Sequence, residues 1–235
     1  MEKINAIVTG YIGSKVAQFT ADLSLRERQD GFIATVNECF QYSNFLKTVY
    51  VLCSYDKPLE FESFKALLEG KFPSGVIVMG RNQSKDMISN GKGQLEAYLL
   101  KMFFTREPAS SNSLYIKISA KYRAKNLSQV IHQIFMLGKP VAWRHLNASS
   151  VETRLIAINE KVMRFFDESL IDEHNGYYFE HEMFRAITLA GGGVLFINSR
   201  PILEGLSGSS GRVVSTSLLK SLLIRAATVF FGRFR

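Results

Sequence analysis

The stretch "SLYIKISAKYRAKNL", residues 113–127, starts as an apolar strand and continues as a basic segment. Its first seven residues are mostly apolar, which is typical of a strand buried inside a sheet. The remainder carries two lysines, an arginine and a tyrosine, and the whole stretch contains no acidic residue. If the strand belongs to an open α/β sheet, its carboxyl end is where ligands bind, so the basic segment is a candidate anion site.

Strand and helix patterns alternate along the rest of the chain. This order predicts an α/β fold with a mixed, mostly parallel sheet and helices on both faces. The predicted strands are 4–13, 45–56, 74–82, 113–119, 139–146 and 191–198. The predicted helices are 61–72, 94–104, 127–138, 150–170 and 177–190. Residues 16–42 also have helical spacing, and Asp30-Gly31 is expected to interrupt it.

Length and composition indicate a single domain that needs no disulfide bonds. The chain has 235 residues, enough to bury a substantial core. Cys39 and Cys53 lie in apolar segments without metal-ligand spacing, so we expect two buried, reduced thiols. The first residues lack a secretory signal pattern, and no window has the roughly 18 apolar residues that span a bilayer. These features predict a cytoplasmic protein, soluble or peripheral on a membrane.

The net charge of +8 is concentrated at the C-terminal end. Residues 205–235 contain five basic residues and no acidic residue, which leaves +3 for the preceding residues. We therefore divide the chain into a domain, 1–211, and a basic apolar tail, 212–235. The tail is expected to form an amphipathic helix that contacts the anionic inner face of the cytoplasmic membrane. Packing against the domain or a second subunit is the alternative.

Several familiar catalytic motifs are absent from the sequence. It contains no G-x-x-x-x-G-K-[ST], H-E-x-x-H, C-x-x-C or G-x-S-x-G, which argues against P-loop, zinc-protease, zinc-knuckle and hydrolase-elbow chemistry. The segment "TGYIGS" has two glycines but not the G-x-G-x-x-G spacing. A nicotinamide-binding domain is therefore not expected.

Short motifs in the chain resemble small bacterial glycosyltransferases of surface-polysaccharide biosynthesis, whose domain is related to the GT-A fold. In that group a Gly-rich turn opens a helix, as in "NGKGQLEAYLL", and the next strand ends in K-[LI]-[ST]-x-[RK]-Y, here Lys117–Tyr122. The segments "GYYFEHEMF" and "RPILEGLSGSSG" resemble two later patterns of the group. The resemblance covers about residues 4–211. It implies transfer of a sugar from a nucleotide-activated donor to a lipid-linked glycan of lipopolysaccharide, O-antigen or capsule.

The resemblance implies a donor site at the strand ends. GT-A enzymes commonly hold a divalent metal with Asp-x-Asp, and this chain has no such motif. Because hard cations need several carboxylate oxygens, we expect no metal cofactor. Lys121 and Arg123 are expected to neutralise the leaving phosphate instead, with a solvated basic turn as the alternative. The donor-binding candidates are Thr9, Gly10, Tyr11, Asp56, Lys92, Ser119, Lys121, Tyr122 and Arg123.

Lys92 is included because it stands at a Gly-rich helix entry. Gly91 and Gly93 permit close approach of the backbone, and the free N–H groups of a helix N-terminus attract anions. An ordinary helix-entry turn explains the same residues. Glu96 is interpreted as an acid in the first turn that favours the helix dipole.

Transfer to a hydroxyl group also needs a proton acceptor. Glu180 is the predicted base, with His181 beside it, although successive helical residues point about 100° apart. Arg144 and His145 follow a predicted strand and are the acceptor-binding candidates. A metal site that uses His174 and His181 is not expected, because these residues lack the i, i+4 spacing of two ligands on one helix.

Two other classes of function remain open at this point. The basic balance suggests a regulatory or nucleic-acid-binding α/β protein, but the cations gather in an apolar tail and no aromatic stacking platform is evident. We therefore expect no nucleic-acid partner. The third possibility is a non-catalytic assembly subunit that retains a glycosyltransferase fold, because a fold alone does not establish activity.

Overall fold

The computed structural model describes residues 4–13, 23–83, 92–107, 113–144, 150–195, 200–206 and 213–215. The strands are β1 (Ile4–Ile12), β2 (Leu46–Tyr55), β3 (Val76–Asn82), β4 (Tyr115–Ser119), β5 (Tyr122–Ala124), β6 (Val141–Arg144), β7 (Val151–Ile158), β8 (Gly193–Leu195), β9 (Leu203–Leu206) and β10 (Val213–Ser215). The α-helices are α1 (Leu25–Phe40), α2 (Pro58–Lys71), α3 (Lys92–Arg106), α4 (Leu127–Leu137), α5 (Glu160–Phe165) and α6 (Phe179–Leu189). A 3₁₀ helix covers Glu168–Leu170.

Seven strands form the main sheet in the order β3-β2-β1-β4-β7-β6-β8. Strands β1 to β4 are parallel to one another, and β7 is antiparallel to both β4 and β6. The α/β class and the mixed, mostly parallel sheet predicted from the sequence are thereby confirmed. Because β7 runs in the opposite direction, its amino end lies at the same edge of the sheet as the carboxyl ends of β1 and β4.

Helices cover both faces of this sheet, as predicted. One buried cluster joins the sheet to α1, α2 and α4, and includes Phe32, Phe64 and Ile131. The other joins it to α3, α5 and α6, and includes Phe103 and Met183. Cys39 and Cys53 are buried thiols within the first cluster, as expected. Burial raises the pKa of the Cys39 thiol to about 12, which makes this thiol unreactive.

The predicted helix 150–170 is wrong. Residues 151–158 form strand β7, and only the short helix α5 and the 3₁₀ turn follow it. Strand β7 lies between β4 and β6 and is covered on both faces, and its second half, Leu155–Ile158, is an uninterrupted apolar run without alternating polar residues. Periodicity alone does not distinguish such a run from a segment of a buried helix. The expected break at Asp30-Gly31 is also wrong, because α1 continues through both residues.

A second sheet, β10-β9-β5, lies beside the main one. Gly205 permits this pairing, because a Cβ atom there would lie 2.3 Å from the carbonyl oxygen of Lys121. Strand β10 occupies 213–215, at the start of the segment assigned to the tail, and the predicted amphipathic helix lies outside the described residues. Within the described part of the chain, no helix has both the length and the apolar character to cross a bilayer.

Candidate functional site

A buried lysine forms the centre of a polar cluster at the strand-end edge of the sheet. Lys117, in β4, has no solvent-exposed surface. Its Nζ atom lies 2.5 Å from Glu96 Oε1, and it donates hydrogen bonds to Ser119 Oγ at 3.0 Å and to the Thr153 carbonyl oxygen at 2.6 Å. An ammonium group has three N–H donors, so every donor has an acceptor, as burial of a charge requires.

Strand alternation explains how the polar groups reach one place. Ile116 and Ile118 pack into the cluster beneath α1, so Lys117 and Ser119 point to the opposite face, toward α3 and α6. Thr9 of β1 is paired in register with Ser119. Its hydroxyl group donates to Glu96 Oε1 at 2.6 Å. Glu96 therefore collects three donors from two adjacent strands, since Ser119 Oγ lies 3.4 Å from the same oxygen.

Glu180 borders this group on the side of α6. Thr153 Oγ1 donates to Glu180 Oε1 at 3.4 Å, and the neighbouring Thr153 carbonyl oxygen binds Lys117. Burial raises the pKa of the Glu180 carboxyl, and the Glu96 and Glu152 carboxylates raise it further, whereas Lys117 lowers it. A carboxylate with a raised pKa accepts protons more readily, which suits a general base. We name Thr9, Glu96, Lys117, Ser119, Thr153 and Glu180 the Lys117 cluster.

The donor set of the Lys117 cluster fits an internal ammonium group better than a divalent cation. The Glu96 carboxylate is already neutralised by Lys117, and the other groups around it are hydroxyl and carbonyl oxygens. Within the described ranges, no three His, Cys, Asp or Glu side chains come together as metal ligands would. The expectation that the protein uses no metal cofactor stays a prediction.

Of the donor-binding candidates in β1, Thr9 belongs to the Lys117 cluster and the other two have different surroundings. A Cβ atom at Gly10 would lie 2.7 Å from the Phe32 ring, so this glycine makes room for α1. Tyr11 is partly buried and stacks beneath the Arg28 guanidinium at 5.1 Å. Burial and, second to it, the adjacent Asp56 carboxylate raise the pKa of Tyr11 to about 12. Tyr11 and Asp56 therefore form a contact of their own at the carboxyl ends of β1 and β2.

The basic segment after β4 splits into two environments. The Lys121 Nζ atom lies over the Tyr122 ring at 5.5 Å from its centroid, and Tyr122 itself is buried in the core. Arg123 is exposed, and its charge lowers the pKa of Glu38 on α1, which burial raises. Lys121, just before β5, contacts the Tyr122 ring, whereas Arg123, in β5, acts on Glu38 of α1, so the two cations do not share one environment.

The amino terminus of α3 is already bound to a carboxylate of the protein. The Gly93 N–H group donates to Glu173 Oε1 at 2.8 Å. A Cβ atom at Gly93 would lie 2.8 Å from the Phe179 Cβ atom, so the glycine permits close packing against α6. This helix end, which the sequence suggested for phosphate, therefore has an internal anion next to Lys92, the first residue of α3.

His181 does not reach the side of α6 that carries Glu180. Its Nδ1 atom accepts a hydrogen bond from the Tyr178 N–H group at 3.1 Å, so it caps the start of the helix. Together with Phe184 it lines a surface groove of about 330 Å³. The 100° step between successive helical residues separates the two side chains. Arg144 ends β6 and lies 5.6 Å from the Phe184 ring, and His145 lies outside the described residues.

Glu96 and Lys117 are the main residues of the site that sequence reasoning missed. Glu96 was interpreted as an acid that favours the helix dipole, although its carboxylate accepts hydrogen bonds from side chains of two strands, β1 and β4. The available signal was a lysine in the middle of the apolar run "LYIKIS", because a fully buried lysine needs a specific partner. Glu152 and Arg154 were missed because their segment was predicted to be helical.

Comparisons with known proteins leave the family open. The chain matches no protein-family model and no curated protein in sequence. Several solved structures share parts of the architecture. Three of them are 4-diphosphocytidyl-2C-methyl-D-erythritol synthase (11% identity, TM-score 0.45, 97% of this chain and 100% of that one), HddC from Yersinia pseudotuberculosis (10%, 0.39, 70% and 81%) and an active-site mutant of LgtC (10%, 0.48, 83% and 73%). At these values the likenesses do not specify an activity, which has to be inferred from the chain's own residues.

Proposed function

We propose that the protein is a glycosyltransferase that moves a sugar from a nucleotide-activated donor to a hydroxyl group of its acceptor, with Glu180 as the general base. The observation that carries this proposal is the position of Glu180, a partly buried carboxyl with a raised pKa at the strand-end edge, within the Lys117 cluster. Open α/β sheets bind their ligands at this edge.

The proposed reaction requires a base for the acceptor hydroxyl group and departure of the nucleotide from the donor sugar. Glu180 takes the proton of the acceptor hydroxyl as its oxygen attacks the anomeric carbon of the donor sugar. The bond from that carbon to the nucleotide phosphate breaks, and the nucleotide leaves with the electron pair. Lys117 is held by Glu96, Ser119 and Thr153, so its role is to fix the Glu96 carboxylate and the strand end beneath the sugar.

The acceptor we propose is a lipid-linked glycan of lipopolysaccharide or capsule assembly. Its support is the motif resemblance together with the basic apolar sequence of residues 216–235, which suits contact with anionic lipid. The protein would then act in the cytoplasm, peripherally at the inner face of the membrane. Arg144, at the end of β6, remains the described candidate for contact with the acceptor.

A thermal-shift panel tests whether a nucleotide binds at all. The purified full chain is heated with each nucleoside mono- and diphosphate, with and without EDTA. We expect one nucleotide to raise the Tm, and the shift to survive EDTA. A chain that responds to no nucleotide but binds DNA or RNA in a salt-sensitive manner would instead be the regulatory α/β protein considered above.

Glu180→Gln tests the assigned base. The amide keeps the shape of the side chain but cannot accept the proton, so we expect sugar transfer to fall by about 10²–10⁴-fold while the nucleotide still raises the Tm. Glu62→Gln, on the exposed face of α2, is the matched control and should transfer like the parent protein. Transfer that persists in Glu180→Gln would remove this residue from the mechanism.

A further inference from the structure

A second polar cluster lies at the same edge of the sheet. It consists of Lys121, Tyr122, Glu152, Arg154 and Arg200, and we name it the Arg154–Arg200 cluster. Three separate parts of the chain supply it: the turn into β5, the start of β7 and the segment before β9. These five described residues comprise three basic side chains and a single carboxylate, whereas the Lys117 cluster pairs one ammonium with two carboxylates.

Arg154 is held in a fixed orientation. Its Nε atom donates to Glu152 Oε1 at 2.6 Å, a second nitrogen contacts Glu152 Oε2, and its Cζ atom lies 5.0 Å from the centroid of the Tyr122 ring. Lys121 approaches the same ring at 5.5 Å. The ring of Tyr122 therefore positions two cations of the cluster.

An irregularity of β7 explains why these side chains point where they do. The pairing of β6 with β7 shifts between Val141–Ala157 and Trp143–Glu152, and Arg154 lies within the shifted stretch. Such irregularities redirect side chains and are frequent beside functional sites. Glu152 and Arg154 face one side here, while Thr153 between them bonds Glu180 on the other.

Arg200 is anchored through its backbone. Asn126 Nδ2 donates to the Arg200 carbonyl oxygen at 2.9 Å, and Asn126 Oδ1 accepts from the Ile202 N–H group at 2.7 Å. Pro201 between them is buried. Burial lowers the pKa of the Arg200 guanidinium, Glu152 raises it and Arg154 lowers it. Arg154 and Arg200 thus both interact electrostatically with the Glu152 carboxylate.

We propose that the Arg154–Arg200 cluster binds the diphosphate of the nucleotide donor, with Arg154, Arg200 and Lys121 as its cations. This inference rests on the proposed function. Arginine suits the task because its planar guanidinium can donate two parallel hydrogen bonds to a phosphate. The Lys117 ammonium stays with Glu96 and takes no part in binding the diphosphate.

The position of the cluster fits this role. Glu152 binds Arg154 and precedes Thr153, whose hydroxyl group bonds Glu180, and its charge acts on both Glu180 and Arg200. A leaving diphosphate held by the arginines would accordingly be near the proton acceptor, yet separated from its negative charge. Direct contact between the diphosphate and Glu180 would be repulsive.

Arg200→Gln is the decisive variant, measured by isothermal titration of the full chain with inorganic pyrophosphate. We expect pyrophosphate to bind the parent protein, to bind Arg200→Gln about tenfold to hundredfold more weakly, and to bind Arg200→Lys with an intermediate affinity. Arg164→Gln, an exposed arginine on α5, is the matched control and should bind like the parent. Unchanged binding by Arg200→Gln, or binding lost in Arg123→Gln instead, would overturn the proposal.

The role of Arg154 needs a variant that does not leave a buried charge. Glu152 is only 4% exposed, so Arg154→Gln alone would destabilise the protein. The double variant Glu152→Gln/Arg154→Gln removes the pair together and should also weaken pyrophosphate binding. Pyrophosphate binding without any sugar transfer would refute the glycosyltransferase and leave the anion site standing. Sugar transfer with normal kinetics by Arg200→Gln would refute the anion site and leave the glycosyltransferase standing.

Discussion

Replacing Lys117 with methionine tests how strongly the internal ammonium holds the site together. Methionine keeps the length of the side chain and removes the charge. The change would leave the Glu96 carboxylate without its cation, and the Thr153 carbonyl oxygen and Ser119 hydroxyl without a donor. Removing one partner of a buried ion pair costs about 3–5 kcal/mol of the free energy of unfolding.

The lower end of that range applies to Lys117→Met, because the Glu96 side chain is 24% exposed and water can partly solvate its charge. We therefore expect a loss of about 3 kcal/mol. In a chain of this size each kcal/mol lowers the Tm by about 2–4 °C, so the Tm should fall by about 6–12 °C. Urea unfolding followed by far-ultraviolet circular dichroism measures the free energy directly.

A second lysine–glutamate pair with the same Nζ–O distance provides a matched control. Lys101 Nζ also lies 2.5 Å from a glutamate oxygen, on Glu168, but the Lys101 side chain is 43% exposed. An exposed pair contributes about 0–1 kcal/mol, so Lys101→Met should have little effect. Glu96→Gln/Lys117→Met removes both charges and should be less destabilised than the sum of its single variants. Equal losses in the two lysine variants, or simple additivity in the double variant, would refute the reasoning.

Three further predictions concern other parts of the chain. Gly93→Ala should cost about 1–3 kcal/mol, because the added methyl group would meet the Phe179 Cβ atom at 2.8 Å, whereas Gly70→Ala, with open space around it, should stabilise α2 by about 0.5–1 kcal/mol in the same urea assay. Because the native pKa of Glu180 is raised, the unfolded chain loses this proton first as the pH increases, and stability falls between the ordinary and the raised pKa. Glu180→Gln should lack this loss, so its free energy of unfolding in urea, relative to that of the parent protein, should increase from pH 4 to pH 7. A difference between the two proteins that stays constant with pH would contradict the raised pKa of Glu180. Deletion of residues 216–235, which keeps β10, should abolish sedimentation with anionic vesicles, and retained sedimentation would place membrane contact elsewhere.

The sequence predicted most strands of the main sheet because each is an apolar run bounded by turn residues. It failed for β7, where the run "VETRLIAI" is covered on both faces and was assigned to a helix. The β-branched residues Val151, Thr153, Ile156 and Ile158 were the available signal for a strand. This error also hid Glu152 and Arg154, since a helix would have directed them to different neighbours.

The candidate site was predictable only in outline. Strand ends can be located from sequence, which led to Thr9 and Ser119, and Glu180 was named as an acid in a motif; the structure brings these three candidates into one cluster. The pairing of Glu96 with Lys117 depends on how α3 packs against β4, which no local pattern records. Likewise, the helix entry at Gly93 looked suitable for phosphate because nothing in the local sequence shows that Glu173 binds it.

The register of β7 connects the two clusters. Thr153 contacts Glu180 and Lys117, whereas Arg154, the next residue, contacts Glu152 and the Tyr122 ring. Because successive residues of a strand face opposite sides, a slip of one residue would exchange them, placing a guanidinium beside the Lys117 ammonium and a hydroxyl in the anion site. Such a slip would remove the base's hydrogen-bond donor and a phosphate-binding cation in one step. The irregular pairing of β6 with β7 therefore sets the chemistry of both clusters, although neither of its boundary pairs contains a proposed catalytic residue.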